Sequence, residues 1–389
     1  MAAPRLTPGR WSDNDAAVTT GNESMTELAS FARTLPAVPV VDVRDGGPPQ
    51  HALRSAAKAR ALRDACLRFF PRAALPLVPA FDRLSCNWLE RSRSPYVAEI
   101  ADIAAALDLS GVWLLNASMQ FGCTARAGEE NGEPWLVRTL DWPFKGLGHN
   151  TEIAHMRGEA GDFFSVTWPG YVGVLTAMAP RRFAACLNQA PMWRRTRHPR
   201  LRPLDFAANA VGVWFTADCM PPDQLLRRTF EIAEDYVSAR RMLETTPVSR
   251  AVIYTLVGCK PHERCIIERT ATGFVTRDQE TSAANDWLPT RPGWEGRIGM
   301  RRFLVCSFAD AAAISRARRD TLAGFEGSFA AARFDWLRPP VLNPYTRLAA
   351  AMSPARGILR ATGYDVVGAD LPAPVTQTCE IEVAPRAAA

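Results

Sequence analysis

Three side chains with complementary chemistry, Cys123, Arg138 and Asp141, lie on either side of the dipeptide Asn131-Gly132. Asn-Gly is the strongest short signal for a β-hairpin, because both residues tolerate the positive φ angles of a two-residue turn. The segments that flank the dipeptide are short and compatible with strands. One local hairpin is therefore expected to bring a thiol, a guanidinium and a carboxylate together.

The register of this hairpin places the three side chains relative to one another. With a two-residue turn, Cys123 pairs with Leu140, and Arg138 lies diagonal to Cys123 on the same face, within reach of a long side chain. Asp141 follows Leu140 and by strict alternation faces the opposite side of the sheet. A bend before Pro143 is the alternative that would turn the Asp141 carboxylate back toward the thiol.

A thiol needs a base or a nearby cation to act as a nucleophile at neutral pH, because its ordinary pKa is about 8.5. The hairpin contains no histidine. If Cys123 is itself a chain terminus, its α-amino group, with a pKa of about 7.7–8.0, supplies the base. Arg138 would then stabilise the thiolate, Asp141 would anchor the ammonium, and Gly122 offers an unhindered peptide bond for an N→S acyl shift. Spacing alone leaves open a buried structural cysteine beside an ordinary Arg–Asp pair.

The elements around the hairpin alternate between helical and strand patterns. Apolar periodicity predicts helices over 51–69, 96–107, 204–216, 222–245 and 311–323. Alternation and turn signals predict strands over 36–43, 123–127, 135–142, 163–168, 184–188, 251–258, 264–269, 273–277 and 374–383. Consecutive strands joined by tight turns favour an α+β class with antiparallel sheets and helices outside. A four-layer αββα sandwich fits this order, although periodicity alone does not choose it over another α+β fold.

Composition excludes several classes of protein. The net charge of +6 comes from scattered arginines and is typical of solvated faces, not of a nucleic-acid-binding surface. Nine cysteines without paired CxxC spacing indicate reduced thiols. The histidines lack metal-ligand spacing, and Cys259, His262 and Cys265 fit a strand–turn–strand hairpin, so neither metal nor cofactor is expected. No apolar run is long enough to predict an integral membrane span.

Five motifs carry a resemblance to a known family. They are Val97–Asp108, Cys123-Thr124, Val137–Trp142 with its Arg-x-x-Asp pattern, Trp168–Thr176 with Leu187-Asn188-Gln189 after it, and Ala284–Trp287. In their order and spacing, the chain from about residue 36 onward resembles the acid ceramidase and N-acylethanolamine-hydrolysing acid amidase family. That family is related to the choloylglycine and penicillin V hydrolases of the N-terminal-nucleophile (Ntn) superfamily. The resemblance implies a four-layer αββα sandwich with Cys123 as nucleophile, exposed by self-cleavage of the Gly122–Cys123 bond.

The resemblance also implies the remaining site residues. Asn285 would be a side-chain donor to the oxyanion, Asn188 would lie in the site, and Arg318 would complete it, with Arg319 and Arg301 as alternatives. The structural alternatives are a turn-forming role for Asn285, a core role for Asn188 and a solvated helix face for the arginines. A group of apolar residues either lines an acyl groove or fills the core: Trp168, Tyr171, Met178, Met192 and Trp193.

The chain departs from the family pattern in three ways. Gln189 stands where those relatives carry a glutamate, which puts acid activation through that residue in doubt. Cys123 is one residue closer to Arg138, as a shortened turn would explain. The first residues contain no apolar signal region, with Met25 as an alternative start, whereas those relatives are lysosomal. A cytoplasmic location is therefore predicted.

The sequence thus predicts a flexible leader over 1–35, an N-terminal segment over 36–122 that is retained after cleavage as an α-subunit, and a catalytic β-subunit over 123–389. The predicted reaction is hydrolysis of the linear amide bond of a small N-acyl substrate, such as a ceramide or an N-acylethanolamine. Bile-salt and penicillin-type amides are other options. An acyltransferase that passes the acyl group to an amine, a catalytically silent binding homologue, and a homo-oligomer stay open.

Overall fold

The computed structural model describes residues 35–68, 72–117, 122–215, 218–279, 281–295, 308–368 and 371–384. The chain divides into two units, Met1–Leu35 and Pro36–Ala389. All the described helices and strands belong to the second unit.

Most of the strands of this unit are joined in antiparallel pairs. They are β1 Val40–Asp42, β2 Gly122–Glu130, β3 Glu133–Asp141, β4 Glu152–Gly158, β5 Gly161–Thr167, β6 Thr176–Ala179, β7 Phe183–Gln189, β8 Met192–Trp193, β9 Val252–Val257, β10 Arg264–Arg269, β11 Phe274–Arg277, β12 Ser282–Ala283, β13 Trp294–Glu295, β14 Thr346–Ser353, β15 Ile358–Asp365, β16 Ala373–Pro374 and β17 Cys379–Glu382. The first sheet has the order β1-β4-β5-β6-β7-β9-β10-β11, and β1 is parallel to β4. The second sheet has the order β12-β2-β3-β14-β15-β16, with β17 beside β15.

The helices are mostly short, and those at the start of the unit precede the hairpin. They are α1 Gly47–Arg54, α2 Ala56–Leu67, α3 Val78–Arg91, α4 Val97–Leu107, α5 Val112–Ala117, α6 Arg202–Phe215, α7 Pro222–Ile232, α8 Tyr236–Thr245 and α9 Phe308–Ala323. No described helix is both long enough and apolar enough to cross a membrane.

The two sheets pack face to face through small residues. Cys123, Ala125 and Leu140 of the second sheet lie in one core cluster with Ala184 and Cys186 of the first sheet. Alternate positions of each strand point into this layer, so the residues between them point outward. The small side chains let the facing strands approach closely, which places the start of β2 against the end of β7.

Helices cover the outer faces. On the first sheet, Phe230 of α7 packs against Phe163 and Phe183, with ring centroids 5.4 and 4.7 Å apart. On the second sheet, Leu322 of α9 packs with Trp135 of β3 in a separate core cluster. The order of layers is therefore helix, sheet, sheet, helix, and the predicted αββα sandwich is confirmed.

Several predicted elements differ in their bounds. The helix predicted over 222–245 is two helices, because the chain leaves helical geometry at Ala233 and Asp235 then caps α8 by accepting the N–H of Ser238 at 2.8 Å. The helix predicted over 51–69 is broken at Ser55. Strands β14 and β15, both central to the second sheet, were not among the strands predicted from the sequence.

The segment before the hairpin is tied to the rest by a buried carboxylate. Glu152 on β4 is 2.7 Å from His51 Nε2, 2.7 Å from Lys58 Nζ and 2.8 Å from Ser55 Oγ. Burial raises the pKa of Glu152, but the hydrogen bonds from His51, Lys58 and Ser55 outweigh it and hold the pKa below its usual value. The three donors precede residue 122 and their acceptor follows it, so the contact spans the predicted cleavage point.

Candidate active site

The β2–β3 hairpin has the predicted turn and register. Asn131 and Gly132 have φ angles of 55° and 78°, as a two-residue turn of the hairpin type requires. Cys123 lies opposite Leu140, and Ala125 lies opposite Arg138. Arg138 and the thiol therefore share the face that points toward the first sheet.

The Cys123 sulfur is in contact with a buried cation. Arg138 Nη2 donates to Cys123 Sγ at 2.8 Å, and both residues are fully buried. The Arg138 Nη atoms also donate to Leu175 O at 2.9 Å, to Thr176 Oγ1 and to Leu187 O at 3.4 Å. These other acceptors are neutral, so a thiolate at Cys123 would supply a negative charge beside the guanidinium.

Burial of this sulfur favours the protonated thiol. Burial raises the pKa of Cys123 to about 12, and the positive charge of Arg138 opposes that effect without overcoming it. A nucleophilic sulfur at neutral pH therefore requires a base beside it and access for water or substrate.

Asp141 lies on the outer face of the second sheet, as strict alternation predicts, and the alternative of a bend toward the thiol is wrong. Its Oδ2 accepts from Arg318 Nη1 at 3.0 Å and from Asn343 Nδ2 at 2.8 Å, and its Oδ1 accepts from Thr346 Oγ1 at 2.9 Å. Burial raises the pKa of Asp141, and Arg318 and the neutral donors oppose the rise. Arg318 links the carboxylate to the cysteine, because the same Nη1 also donates to Cys123 O at 3.1 Å.

Asn285 occupies the next ladder position beside Cys123. Strand β12 pairs with β2 so that Ala283 lies opposite Ala125, and continuing this register places residue 285 opposite residue 123. At this position the acceptor of the Cys123 N–H is the Asn285 side chain and not a backbone carbonyl: Asn285 Oδ1 accepts it at 2.9 Å. Its Nδ2 donates to Gln189 O at 2.8 Å, which fixes the orientation of the amide.

Of the three arginines considered for the distal position, the structure brings Arg318 to the cysteine. Arg318 donates to Cys123 O at 3.1 Å and to Asn285 Oδ1 at 2.8 Å, besides its bond to Asp141. Arg319 on the same helix pairs with Asp286 at 2.7 Å. Arg301 lies outside the described residues. The buried position of Arg318 and Arg319 excludes a solvated helix face for either side chain.

Asn188 lies at the end of β7, beside the other site residues. Its Nδ2 donates to Ala283 O at 3.3 Å and to Ala284 O at 3.1 Å, next to Asn285. The side chain is fully buried. Asn188 therefore holds the turn that carries Asn285, whether or not it also contacts a substrate.

Four residues that support this arrangement were not predicted from the sequence. Ser315 Oγ accepts the Asn285 N–H at 2.9 Å and donates to Asp286 at 2.7 Å. Ser315 lies three residues before Arg318 on α9, so helical spacing would have placed both on one face. The other three carry no such signal, because they bind Arg138 or Asp141 from distant segments: Thr176, Asn343 and Thr346.

The predicted acyl-groove residues are mostly interior. Trp168, Tyr171 and Met178 belong to the main core, and Met192 is also buried, while Trp193 is 40% exposed. The structure therefore favours the interpretation that these residues fill the core, for all of them but Trp193.

The region around His262 is the predicted hairpin. Strands β9 and β10 pair antiparallel, with Val257 opposite Arg264, and Cys259 and His262 lie in the connection. In the part of the chain that the structure describes, no group of three or more metal-binding side chains comes together.

Comparison with known proteins gives a consistent set of relatives. The chain is 26% identical to the N-acylethanolamine-hydrolyzing acid amidase of Oryctolagus cuniculus over 188 residues, which are 46% of the chain and 49% of the relative. It is 25% identical to a probable acid ceramidase of Caenorhabditis elegans over 218 residues, 50% of the chain and 52% of the relative. The chain is similar to acid amidases and acid ceramidases. It spans about half the length of the curated relatives it matches, and no known protein-family profile matches it.

Two solved structures are similar at low TM-scores. One is the Caenorhabditis elegans ortholog of N-acylethanolamine-hydrolyzing acid amidase, at a TM-score of 0.40 and 17% identity, covering 61% of the chain and 93% of that protein. The other is a variant of the conjugated bile acid hydrolase from Clostridium perfringens, at a TM-score of 0.38 and 11% identity, covering 67% and 92%. The αββα sandwich itself rests on the strand pairing and layers of the chain.

Proposed function

We propose that the chain is a self-cleaving amidohydrolase that uses Cys123 as an N-terminal nucleophile on an N-acyl amide. One observation carries the proposal. The two groups of Cys123 that the mechanism needs are each bound by a separate buried polar side chain, the sulfur by Arg138 at 2.8 Å and the backbone nitrogen by Asn285 at 2.9 Å. A cysteine that only fills a core needs neither contact.

The proposed maturation begins at the Gly122–Cys123 bond. Cys123 Sγ attacks the Gly122 carbonyl carbon, a C–S bond forms as the C–N bond breaks, and the thiol proton passes to the nitrogen. Water then hydrolyses the thioester, which leaves a carboxylate on Gly122 and a free thiol and amine on Cys123. A Cβ at position 122 would lie 3.3 Å from Asp141 Cβ, so glycine spares this bond a crowded contact.

The proposed turnover uses the freed amine as base. It accepts the thiol proton, and the sulfur attacks the substrate carbonyl carbon while Arg138 stabilises the developing thiolate. Asn285 Nδ2 is the side-chain donor proposed for the oxyanion. The amine product leaves with the proton from the α-ammonium, and water resolves the acyl-thioester and regenerates the thiol.

We propose that the substrate is a fatty amide of the ceramide or N-acylethanolamine type, as the names of the relatives suggest. Residues 36–122 would stay bound as a subunit beside the catalytic part 123–389, and the contact of Glu152 with His51, Ser55 and Lys58 supports this. The cytoplasmic setting remains a prediction. The eight cysteines in the described part of the chain are all free, which supports a reducing compartment.

The deciding experiment is intact mass spectrometry of the purified chain with sequencing of the new N-terminus. We expect fragments 1–122 and 123–389, and a single uncleaved chain for Cys123→Ala. Cys265→Ala is the matched control, because it removes another fully buried thiol without touching the site, and it should still cleave. Active protein in which residue 123 is still joined to residue 122 would refute the proposal.

A panel of N-acyl amides then separates the remaining candidates. The cleaved chain should release free fatty acid from N-acylethanolamines or ceramides. Transfer of the acyl group to an added amine in place of water would identify an acyltransferase. A chain that neither cleaves itself nor turns over any amide would be a binding homologue.

A further inference from the structure

Among the described residues, Asn188 brings to the site a buried amide oxygen that has no hydrogen-bond partner. Asn188 is fully buried, and its Nδ2 is held by Ala283 O and Ala284 O at 3.3 and 3.1 Å. Its Oδ1 has no hydrogen-bond partner among the residues that the structure describes. Buried polar side-chain atoms are nearly always paired, so an acceptor that is fixed in orientation and unpaired requires an explanation.

Asn188 is flanked in its strand by two residues whose carbonyls contact the proposed catalytic side chains. The carbonyl of the preceding residue, Leu187, accepts from Arg138 Nη2 at 3.4 Å, and the same Nη2 donates to Cys123 Sγ at 2.8 Å. The carbonyl of the following residue, Gln189, accepts from Asn285 Nδ2 at 2.8 Å. The two strand neighbours of Asn188 therefore bind, through their carbonyls, the cation that contacts the sulfur and the amide that binds the Cys123 nitrogen.

We propose that Asn188 determines specificity for secondary amides, by accepting the N–H of the scissile bond at its Oδ1. This rests on the proposed function. An amide oxygen can only accept, and the N–H is the one donor that a simple N-acyl amide brings to the reacting bond. The substrate carbonyl oxygen needs hydrogen-bond donors, of which Asn285 Nδ2 is the one proposed above. The substrate C=O would thus be bound by a donor and its N–H by an acceptor.

The proposal predicts which analogues are rejected. An ester places an oxygen lone pair where the amide has its N–H, so the ester oxygen and Asn188 Oδ1 would face each other without a hydrogen. A site built around a hydrogen bond to the substrate discriminates strongly against the analogue that lacks the donor. The enzyme should therefore favour an amide over the ester with the same acyl chain and leaving skeleton.

The test compares kcat/KM for such an amide and ester pair, in mature wild-type enzyme and in Asn188→Leu. We expect the amide-to-ester ratio to fall on the order of ten- to a hundredfold in the variant, because the ester never used the acceptor. Ser315→Ala is the control. It removes the hydrogen bond to the Asn285 backbone, so it should slow both substrates and leave their ratio unchanged.

An unchanged ratio in Asn188→Leu would overturn the proposal while the proposed function stands. If the variant fails to fold or to cleave itself, the wild-type enzyme decides. Its amide-to-ester ratio should exceed the ratio of the alkaline hydrolysis rates of the same pair, and equal ratios would overturn the proposal. Failure of the wild-type enzyme to hydrolyse either compound would instead refute the proposed function, and the role of Asn188 would fall with it.

Discussion

Replacing Arg318 by methionine should destabilise the uncleaved chain by about 3–5 kcal/mol. Arg318 Nη1 lies 3.0 Å from Asp141 Oδ2, with the two side chains 6% and 4% exposed. At an effective dielectric constant of about 20, two charges at this distance attract by about 5.5 kcal/mol. The desolvation of both ions offsets much of that attraction. Removal of the cation alone leaves Asp141 buried, and the hydrogen bonds that remain to it from the described side chains come from the neutral groups of Asn343 and Thr346.

A substitution of Asp141 shows whether an unpaired buried charge causes the loss of stability. Asp141→Asn alone should also destabilise the chain, since it leaves Arg318 with the neutral acceptors Cys123 O and Asn285 Oδ1. The double variant has no buried charge at either position. Its loss should therefore be smaller than the sum of the two single losses by at least about 2 kcal/mol.

The assay is urea unfolding of chains that also carry Cys123→Ala, monitored by far-ultraviolet circular dichroism. That substitution prevents the proposed self-cleavage, so that every variant is compared as one intact chain. Arg316→Met is the matched control, because Arg316 lies on the same helix but is exposed, and it should change the free energy of unfolding by less than about 0.5 kcal/mol. If the sum of the two single losses equals the loss of the double variant to within about 0.5 kcal/mol, the reasoning is refuted.

Changes at other positions have equally definite outcomes. Asn285→Ala should slow self-cleavage by up to about tenfold, because it removes the hydrogen bond that holds the Cys123 N–H; a time course on denaturing gels measures this, and an unchanged rate would contradict it. Gly132→Ala should cost about 1 kcal/mol, since its φ of 78° is left-handed, and thermal unfolding that is unaffected would show that the turn adapts. The stabilisation from Glu152 should be fully present above about pH 4.5 and be lost as the pH falls through its lowered folded-state pKa. The urea midpoint should therefore change less with pH in Glu152→Gln than in the wild-type chain. The same pH dependence in both would exclude a contribution from the contact with His51.

The hairpin could be predicted from the sequence because everything that sets it is local. Asn131-Gly132 fixes the turn, the turn fixes the register, and the register puts Arg138 beside Cys123. The orientation of Asp141 also follows from the period of two along a strand. These relations involve fewer than about twenty residues, so no knowledge of the remaining chain is needed.

The contacts from the rest of the chain could not be derived in this way. Asn285 reaches Cys123 through the pairing of β12 with β2, and Arg318 reaches it through the packing of α9, so both depend on long-range structure that no local pattern encodes. Resemblance to a family pointed to both positions, where the residues alone left a turn or a solvated face open. The choice of Arg318 over Arg319 is a matter of one helical position, about 100° of rotation.

Strand β14 shows why a central element can be missed. Its sequence, Thr346–Ser353, is rich in alanine, and alanine has little preference for strands. The strand forms because β3 and β15 flank it and its alanines pack on both faces of the sheet, Ala350 in the main core and Ala349 and Ala351 in the cluster with Leu322 of α9. The omission mattered for the site, since Thr346 at the start of β14 binds Asp141.

The short length of β12 gives the site its most useful property. Ser282 and Ala283 pair with β2, Thr281 O accepts from Ala127 N at 2.8 Å in the same register, and opposite Cys123 the Asn285 side chain replaces the backbone as the acceptor for the N–H. A cut between residues 122 and 123 would therefore break no ladder bond on that side of β2. The freed nitrogen would keep the same acceptor, while Arg318 continues to hold Cys123 O and Asn285 Oδ1 together. The base would thus be positioned beside the sulfur before it exists as an amine, which is the preorganisation that this kind of catalysis needs.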